Sequence, residues 1–311
     1  MHQVWRPKVH PRTLTVAGGK GFDHAAAQAA NPALRNDFPS HWRESDVRGC
    51  VRAACGGACA YCGDLVGRTG EDVEHFRPKA VYWFLAYVYE NYLASCRQCN
   101  SSRKGSKFDL DVAAVPATDV EALKTEKRLL LDPVLDRVER AMTVVMVDNR
   151  YLWQVNPAAS PQLRRRAAHT IQFFALNDDG ELVKARSTAV ATYLSLTVEG
   201  SPVMKQAARR SASRYRAHGG AIRSVVVAQN APQLLPSPAE ELQWLIEDLV
   251  EVLQAFRAAA RPNVANRDLV RYALAALAVA PPGGVTRTAV RQQLTAAGVW
   301  PDVEGLRSSV R

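Results

Sequence analysis

Two pairs of cysteines give the first chemical signal in this sequence. Cys59 and Cys62 form one Cys-x-x-Cys pair, and Cys96 and Cys99 form a second. The thiolates of each pair can point at one ion, and two pairs complete the tetrahedron that is typical of protein-bound zinc. Because four cysteines leave no open coordination position, the spacing predicts a structural zinc site. Four buried reduced thiols or a redox pair are the alternatives.

The other two cysteines, Cys50 and Cys55, lie just before these pairs, and no cysteine follows Cys99. A disulfide framework would spread cysteines along the chain, so this clustering favours metal binding or catalysis. We expect Cys50 and Cys55 to pack as small apolar side chains, with replacement of a zinc ligand by one of them as the alternative.

A histidine next to a carboxylate lies between the two cysteine pairs. Glu74 and His75 stand in VEHFRPK, and Asn91 and Asn100 follow close to the second pair. A histidine with a pKa near ~6.5 can take a proton from water, while carboxylate and amide oxygens suit Mg²⁺ or Mn²⁺. Hydrolysis of a phosphodiester uses both activities. A histidine without catalytic function is the alternative for His75, and the flanking zinc pairs argue against it.

Short elements must position these residues. In EDVEHF, Val73 and His75 share one face of a predicted strand, and Glu74 points to the other face. A helix is expected to start after the second cysteine pair, with Asn100 at its N-terminus. A zinc ion would clamp the strand to the helix and so hold a small polar site rigid.

Four segments around these residues resemble the HNH endonuclease motif in its zinc-bound ββα-metal form: CAYC, VEHFRPK, ENYLASCRQCN and RKG. Two further segments are similar to the PtuB family, the HNH component of Septu anti-phage systems, including relatives encoded beside retrons: LLLDPVLD (129–136) and TIQFFALNDDGELVKAR (170–186). The resemblance implies a metal-dependent nuclease.

The resemblance also implies a function for each polar residue. His75 would be the general base that takes a proton from water, and Asn91 would orient the loop of that base through hydrogen bonds. Glu74 and Asn100 would hold a catalytic divalent cation, Mg²⁺ or Mn²⁺. Many members carry aspartate in place of Glu74, so the carboxylate would reach the cation either directly or through water. A base near its ordinary pKa would make the rate climb between about pH 6 and 7.5.

A partner protein is implied as well, namely an ATPase of the ABC or SMC-like kind, similar to PtuA, that would gate cleavage. The sequence has no phosphate-binding loop of its own. AGGKG at Ala17–Gly21 lacks the G-x-x-x-x-G-K-[ST] pattern and predicts a turn. If ATP takes part, another chain must bind it.

The net charge of +10 suits a polyanionic partner such as nucleic acid, although a basic surface can also serve solubility alone. Five basic residues flank the predicted site and are candidates for binding nucleic-acid phosphates: Arg77, Lys79, Arg103, Lys104 and Lys107. For each of them a solvated basic face is the alternative.

Composition and periodicity predict a folded α+β protein, mostly helical. With 47% apolar residues, a chain of 311 can bury one large core or two smaller ones. We expect an HNH nuclease module with an N-terminal extension at residues 1–115, and a helical region for partner or substrate binding at 116–311. A second boundary is expected near Pro232–Pro238. No window approaches the ~20 apolar residues of a membrane helix, and the start lacks the apolar core of a signal peptide, so we expect a cytoplasmic protein.

Helical patterns support this division. Two apolar stripes have helical spacing: Leu163, Ala167, Ile171, Phe174 and Ala175; and Leu242, Leu245, Ile246, Leu249, Leu253 and Phe256. Ser237 and Glu240 give the second stripe a capping-box start. A basic helix ending at Gly219 is predicted to carry four arginines: Arg209, Arg210, Arg214 and Arg216. The pattern supports a nucleic-acid-binding face and a solvated face equally.

The sequence supports two functions of different class. The first is an HNH endonuclease that cuts nucleic acid, with DNA favoured over RNA, as the effector of an anti-phage defence system. The second is a zinc-stabilised basic adaptor that binds nucleic acid without cutting it. A zinc scaffold alone has no need of Glu74, His75, Asn91 and Asn100 together, which favours the enzyme.

Overall fold

The computed structural model of the chain describes residues 1, 4, 11–66, 70–213, 217–237, 240, 241 and 244. Its helices are α1 (Arg12–Thr15), α2 (Lys20–Ala30), α3 (Ser45–Ala54), α4 (Val138–Ala141), α5 (Pro161–Phe173), α6 (Gly180–Glu199), α7 (Pro202–Ser211) and α8 (Gly219–Ala228). Two antiparallel hairpins pair β1 (Glu71–His75) with β2 (Tyr92–Cys96), and β3 (Met142–Val147) with β4 (Arg150–Val155). Short 3₁₀ turns lie at Pro32–Leu34, His41–Arg43, Trp83–Leu85, Tyr89–Asn91, Ala122–Lys124 and Pro232–Leu234. The expected mixture of helices and small sheets is confirmed, with helices forming about half of the described residues rather than most of them.

The β1–β2 hairpin carries the predicted site. Glu71 lies opposite Cys96, and His75 lies opposite Tyr92. The second cysteine pair and the histidine therefore lie at opposite ends of the hairpin. The strand predicted over EDVEH is confirmed.

A π-helical segment, Gln98–Lys104, follows β2 and runs back along β1. Its side chains reach the carboxylates of β1, because Asn100 contacts Asp72 and Lys104 contacts Glu74. The helix begins two residues earlier than predicted, so Asn100 is its third residue rather than its N-terminal one. The turn that brings Cys99 beside Cys96 is itself helical, which accounts for the earlier start.

Residues of the downstream segment 170–186 contact β4 and the π-helical segment through polar side chains. The side chain of Asn177 exchanges two hydrogen bonds with the backbone of Trp153 in β4, at 2.9 and 2.8 Å. Asp179 caps α6 and forms a 2.9 Å ion pair with Arg103 of the π-helical segment. These polar residues therefore have structural partners.

Packing also crosses the predicted boundary between residues 115 and 116. The ring of Tyr61 stacks on that of Phe174, with centroids 4.0 Å apart and planes 17° apart. Both side chains are fully buried in one hydrophobic core. The division into two domains stays a prediction.

Helix α5 contains three of the five residues of the first predicted apolar stripe, and Phe174 and Ala175 follow its end. Ala167 and Phe174 are buried, and Leu163 and Ile171 pack partly buried against the same core. The helix ends at Phe173 because Ala175 takes a left-handed backbone conformation with φ of 45°.

The predicted basic helix ending at Gly219 is wrong in its bounds, since α7 ends at Ser211 and α8 starts at Gly219. Gly219 lies close to Ser213: a Cβ atom at Gly219 would lie 2.1 Å from the carbonyl oxygen of Ser213. Arg209, at the end of α7, forms a 2.7 Å ion pair with Glu240.

Ser237 and Glu240 form the predicted capping box. Each backbone N–H donates to the other residue's side chain, at 2.7 and 3.2 Å. The stripe from Leu242 to Phe256 lies outside the described residues, as do Arg214 and Arg216. None of the described helices has the length and apolarity needed to cross a membrane.

A buried arginine joins α6 to the second hairpin. The guanidinium of Arg186 is fully buried and donates to the carbonyl oxygens of Tyr151 and Leu176, at 2.7 and 2.8 Å. It also donates to Asn177 Oδ1 at 3.2 Å. Burial lowers the pKa of Arg186 to about 10, so the side chain stays charged at neutral pH.

We expect Arg186→Met to lower the free energy of unfolding by about 3 kcal/mol, because two buried carbonyl oxygens lose their donor. Urea denaturation measures the change. Arg165→Met is the control: its guanidinium is 52% exposed in an ion pair with Asp111, and its loss should change the free energy by no more than about 0.5 kcal/mol. Equal effects of the two substitutions would contradict the structural function of Arg186.

Candidate metal centre and active-site cavity

The four cysteines of the two Cys-x-x-Cys pairs form one buried cluster, with all ligand atoms within 4.8 Å of one another. The sulfur atoms of Cys62 and Cys96 are 3.9 Å apart. A tetrahedral zinc ion with Zn–S distances of about 2.3 Å separates its sulfurs by about 3.8 Å. The Cys62–Cys96 separation matches this value, and the predicted Cys₄ group can hold a zinc ion.

The four thiols hydrogen-bond one another, and these bonds raise the pKa values of Cys62 and Cys99 while those of Cys59 and Cys96 are lowered. Burial opposes ionisation of Cys59, but hydrogen bonds from the other three thiols outweigh burial and hold the pKa of Cys59 well below its ordinary value. Cys50 and Cys55 are buried in the hydrophobic core outside the cluster, as expected for small apolar side chains. The backbone N–H of Ala94 points at the sulfur of Cys55, at 3.3 Å.

The cluster ties three parts of the chain together. Cys59 and Cys62 lie in the turn before β1, Cys96 ends β2, and Cys99 lies in the π-helical segment. Tyr61, inside the first pair, is fully buried and donates its hydroxyl to Glu74 Oε1 at 3.3 Å. The side chain of Tyr61 thus connects the cysteine cluster to Glu74, the predicted catalytic carboxylate.

An open cavity of about 510 Å³ lies along β1. Its polar wall combines carboxylates, a histidine, an amide and three basic side chains: Glu71, Asp72, Glu74, His75, Asn100, Arg43, Arg48 and Lys79. Phe38 and Trp42 form part of its apolar wall. Three of the four residues predicted to be catalytic therefore line one cavity.

His75 is held firmly in this wall. Its Nε2 atom lies 3.0 Å from the carbonyl oxygen of Ala86, and its ring meets the edges of Trp42 and Tyr92 at centroid distances of 4.9 and 4.8 Å. Since a carbonyl oxygen only accepts, Nε2 carries the proton and Nδ1 keeps its lone pair. Burial lowers the pKa of His75 to about 3. The ring is therefore neutral at physiological pH.

Asn91 lies outside the cavity and braces the loop that follows His75. Its Oδ1 accepts from the backbone N–H of Arg77 at 2.8 Å, and its Nδ2 donates to the carbonyl oxygens of Arg77 and Leu85 at 2.9 and 3.2 Å. The side chain is buried and all its bonds go to that loop. Its predicted part in catalysis stays a prediction.

Glu74 and Asn100, which are predicted to bind a cation, each contact another side chain of the protein. Glu74 Oε1 is 2.5 Å from Lys104 Nζ, and both side chains are buried. Burial raises the pKa of Glu74, and the Lys104 charge opposes that rise. Asn100 Nδ2 donates to Asp72 Oδ2 at 3.0 Å. These contacts use Glu74 Oε1 and Asn100 Nδ2, so that Glu74 Oε2 and Asn100 Oδ1 are the candidate ligand atoms for a cation.

The five predicted phosphate-binding residues divide into two groups. Three have anionic partners inside the fold: Arg77 with Glu126, Arg103 with Asp179, and Lys104 with Glu74. Lys107 is exposed. Lys79 lines the cavity, with its ammonium 4.9 Å from the ring centre of Trp42. These ion pairs argue against phosphate binding by the first three and leave Lys79 and Lys107 as candidates.

Several residues of the candidate site were not predicted from the sequence. Asp72 could have been found, because it lies two residues before Glu74 on a strand and so shares its face. Tyr61 lies between the two cysteines of the first pair, which placed it near the predicted site. Trp42, Arg43 and Arg48 come from a distant part of the chain, and no local pattern connects them with the cavity.

We expect Cys99→Ser to reduce bound zinc from one ion per chain to a small fraction, because the substitution removes a thiolate from a closed site. The region from about residue 59 to residue 107 should then become sensitive to protease. Elemental analysis and limited proteolysis measure the two effects. Cys55→Ser, a buried cysteine outside the cluster, is the matched control and should keep its zinc. Full zinc in Cys99→Ser would rule out the four-thiolate site.

Comparison with known proteins adds one relative. The chain is similar to the Septu protein PtuB of Bacillus mycoides (strain KBAB4), with 29% identity over 139 residues that make up 40% of this chain and 47% of the relative. The chain thus spans about half the length of the curated relative that it matches. No family model and no solved structure matches it. The expected similarity to PtuB is confirmed over part of the chain.

Proposed function

We propose that this chain is a divalent-cation-dependent HNH endonuclease that hydrolyses phosphodiester bonds of nucleic acid, with DNA favoured over RNA as substrate. One observation carries the proposal. A histidine that can accept a proton, carboxylate and amide oxygens that can bind a cation, and three basic side chains line a single cavity next to a buried four-cysteine cluster. A scaffold that only binds nucleic acid does not need the acceptor and the ligands together.

His75 is the proposed general base. Because the Ala86 carbonyl fixes the proton on Nε2, Nδ1 is the atom that accepts a proton from the attacking water. In the protein without substrate, the low pKa of His75 makes it a weak base. A bound phosphate anion would stabilise the imidazolium and raise the pKa of His75. The hydrogen bond to Ala86 also keeps the ring in place during proton transfer.

Glu74 Oε2 and Asn100 Oδ1 are the proposed protein ligands of the catalytic cation. Hard oxygen ligands that leave most positions to water and phosphate suit Mg²⁺ or Mn²⁺. When bound, the cation would neutralise charge on the phosphoryl oxygens and on the leaving oxygen. Lys104 and Tyr61 hold the other oxygen of Glu74 and so fix its orientation.

The basic wall of the cavity is the proposed phosphate-binding surface. Arg43 and Arg48 are exposed, and Lys79 is held over Trp42. Together they would attract the nucleic-acid backbone and fix it against β1.

The similarity to a Septu protein supports a place in an anti-phage defence system. We propose that the chain acts with an ATPase partner similar to PtuA, which would supply the nucleotide-binding activity. Co-expression with the ATPase of the same gene neighbourhood should give one complex on size exclusion. Separate elution at micromolar concentrations would contradict the proposed partnership.

We expect His75→Ala to reduce cleavage by at least about a hundredfold, because it removes the proton acceptor without removing a metal ligand. Zinc content and nucleic-acid affinity should stay at parental values. The assay is nicking of supercoiled plasmid in Mg²⁺ by the complex with its partner, with single-stranded RNA in parallel. His169→Ala is the control and should cut normally, because His169 lies on α5 with its Nε2 atom 3.1 Å from Asp109 Oδ2. Tight binding without cutting by the parental complex in every divalent cation would favour the adaptor instead.

The structure changes the expected pH dependence. A base at its ordinary pKa gives a rate that climbs between about pH 6 and 7.5, but burial lowers the pKa of His75 to about 3. A lowered pKa means that the free protein is already in the neutral, accepting form throughout that range. We therefore expect kcat/KM to show no inflection from His75 between about pH 5.5 and 8. A tenfold fall per pH unit below pH 6.5 would contradict the buried geometry.

A further inference from the structure

Asp72 is the carboxylate closest to the predicted cation ligand Asn100. Its Oδ2 atom accepts a 3.0 Å hydrogen bond from Asn100 Nδ2. The contact joins β1 to the π-helical segment across the cavity that both residues line. Asp72 precedes Glu74 by two residues, so both side chains lie on the same face of β1.

The chemistry of this contact determines which end of the amide faces the cavity. An asparagine amide has one end that only donates and one that only accepts, and the two ends have nearly the same shape. A carboxylate oxygen accepts hydrogen bonds and does not donate them. Asp72 therefore selects the orientation in which Nδ2 points to β1 and Oδ1 points away from it.

Only that orientation presents an oxygen to a cation, because the amide nitrogen carries two hydrogens and is not a ligand for Mg²⁺ or Mn²⁺. We infer that Asp72 is a positioning residue of the catalytic site, which holds Asn100 with its oxygen directed to the divalent cation. The inference rests on the proposed function, since it adds a residue to the proposed cation site. Partners of metal ligands commonly act in this way.

A charge effect is the competing explanation, because any carboxylate near the cavity attracts cations. Two substitutions of Asp72 separate the explanations. Asp72→Asn and Asp72→Ala both remove the charge, but only Asp72→Asn keeps an acceptor for Asn100. Glu71→Gln and Glu71→Ala are the matched controls: Glu71 lines the same cavity one residue earlier and pairs with Arg52 at 3.3 Å.

The experiment measures binding of Mn²⁺ to the zinc-loaded full chain by electron paramagnetic resonance, without nucleic acid. Cleavage by the complex is then titrated with Mg²⁺. We expect Asp72→Ala to weaken Mn²⁺ binding about tenfold and to raise the half-saturating Mg²⁺ concentration to a similar extent. Asp72→Asn should bind at least threefold more tightly than Asp72→Ala. Zinc content and melting temperature, which report on structure alone, should be the same in both variants.

Equal Mn²⁺ affinities of Asp72→Asn and Asp72→Ala would overturn the inference. So would losses of Mn²⁺ affinity in the two Glu71 variants that equal the losses in the corresponding Asp72 variants. Either result leaves the proposed nuclease intact if the parental complex still cuts. The Asn100→Ala variant distinguishes failure of the inference about Asp72 from failure of the proposed cation site. If Asn100→Ala binds Mn²⁺ as the parent does, Asn100 is no ligand, and both the positioning function of Asp72 and the proposed cation site fall.

Discussion

The four-cysteine cluster is the constraint on which the candidate site depends. It joins the turn before β1, the end of β2 and the π-helical segment, three parts that carry or contact the polar residues of the cavity. A hairpin of two five-residue strands is marginal by itself, and a seven-residue helical segment is too short to be stable alone. Metal binding can supply the missing stability, because the energy of closing a zinc site becomes folding energy of the segment around it.

The cavity beside this cluster is lined by buried and partly buried polar pairs, each of which fixes one group. Lys104 holds Glu74, Asp72 holds Asn100, and the Ala86 carbonyl holds His75. Such pairs contribute little net stability, since desolvation offsets much of the attraction. They do determine orientation, which catalysis requires to within a fraction of an ångström.

Local patterns in the sequence predicted much of this arrangement. The spacing of the cysteines identified the cluster, the alternation around His75 identified β1, and the stripe on α5 identified that helix. These features repeat over two to four residues, so a few neighbouring residues are enough to recognise them. The contacts of Lys104 could not be predicted in the same way, because a lysine buried in an ion pair and a lysine exposed to phosphate look identical in sequence.

The residues of the cavity wall also could not be predicted from local sequence patterns. Trp42 and Arg48 reach β1 through tertiary packing, which no short-range pattern encodes. The low pKa of His75 depends on burial, and Trp42 packs directly against its ring.

The central claim is that one module holds two metals of different chemistry, zinc on thiolates and a catalytic cation on oxygens. Anomalous X-ray diffraction from crystals grown with Mn²⁺, recorded at the zinc and manganese edges, tests it directly. We predict a zinc peak between the sulfurs of Cys59, Cys62, Cys96 and Cys99, and a manganese peak in the cavity next to Glu74 and Asn100. Manganese among the thiolates, or a cavity without manganese at saturating concentration, would contradict the claim.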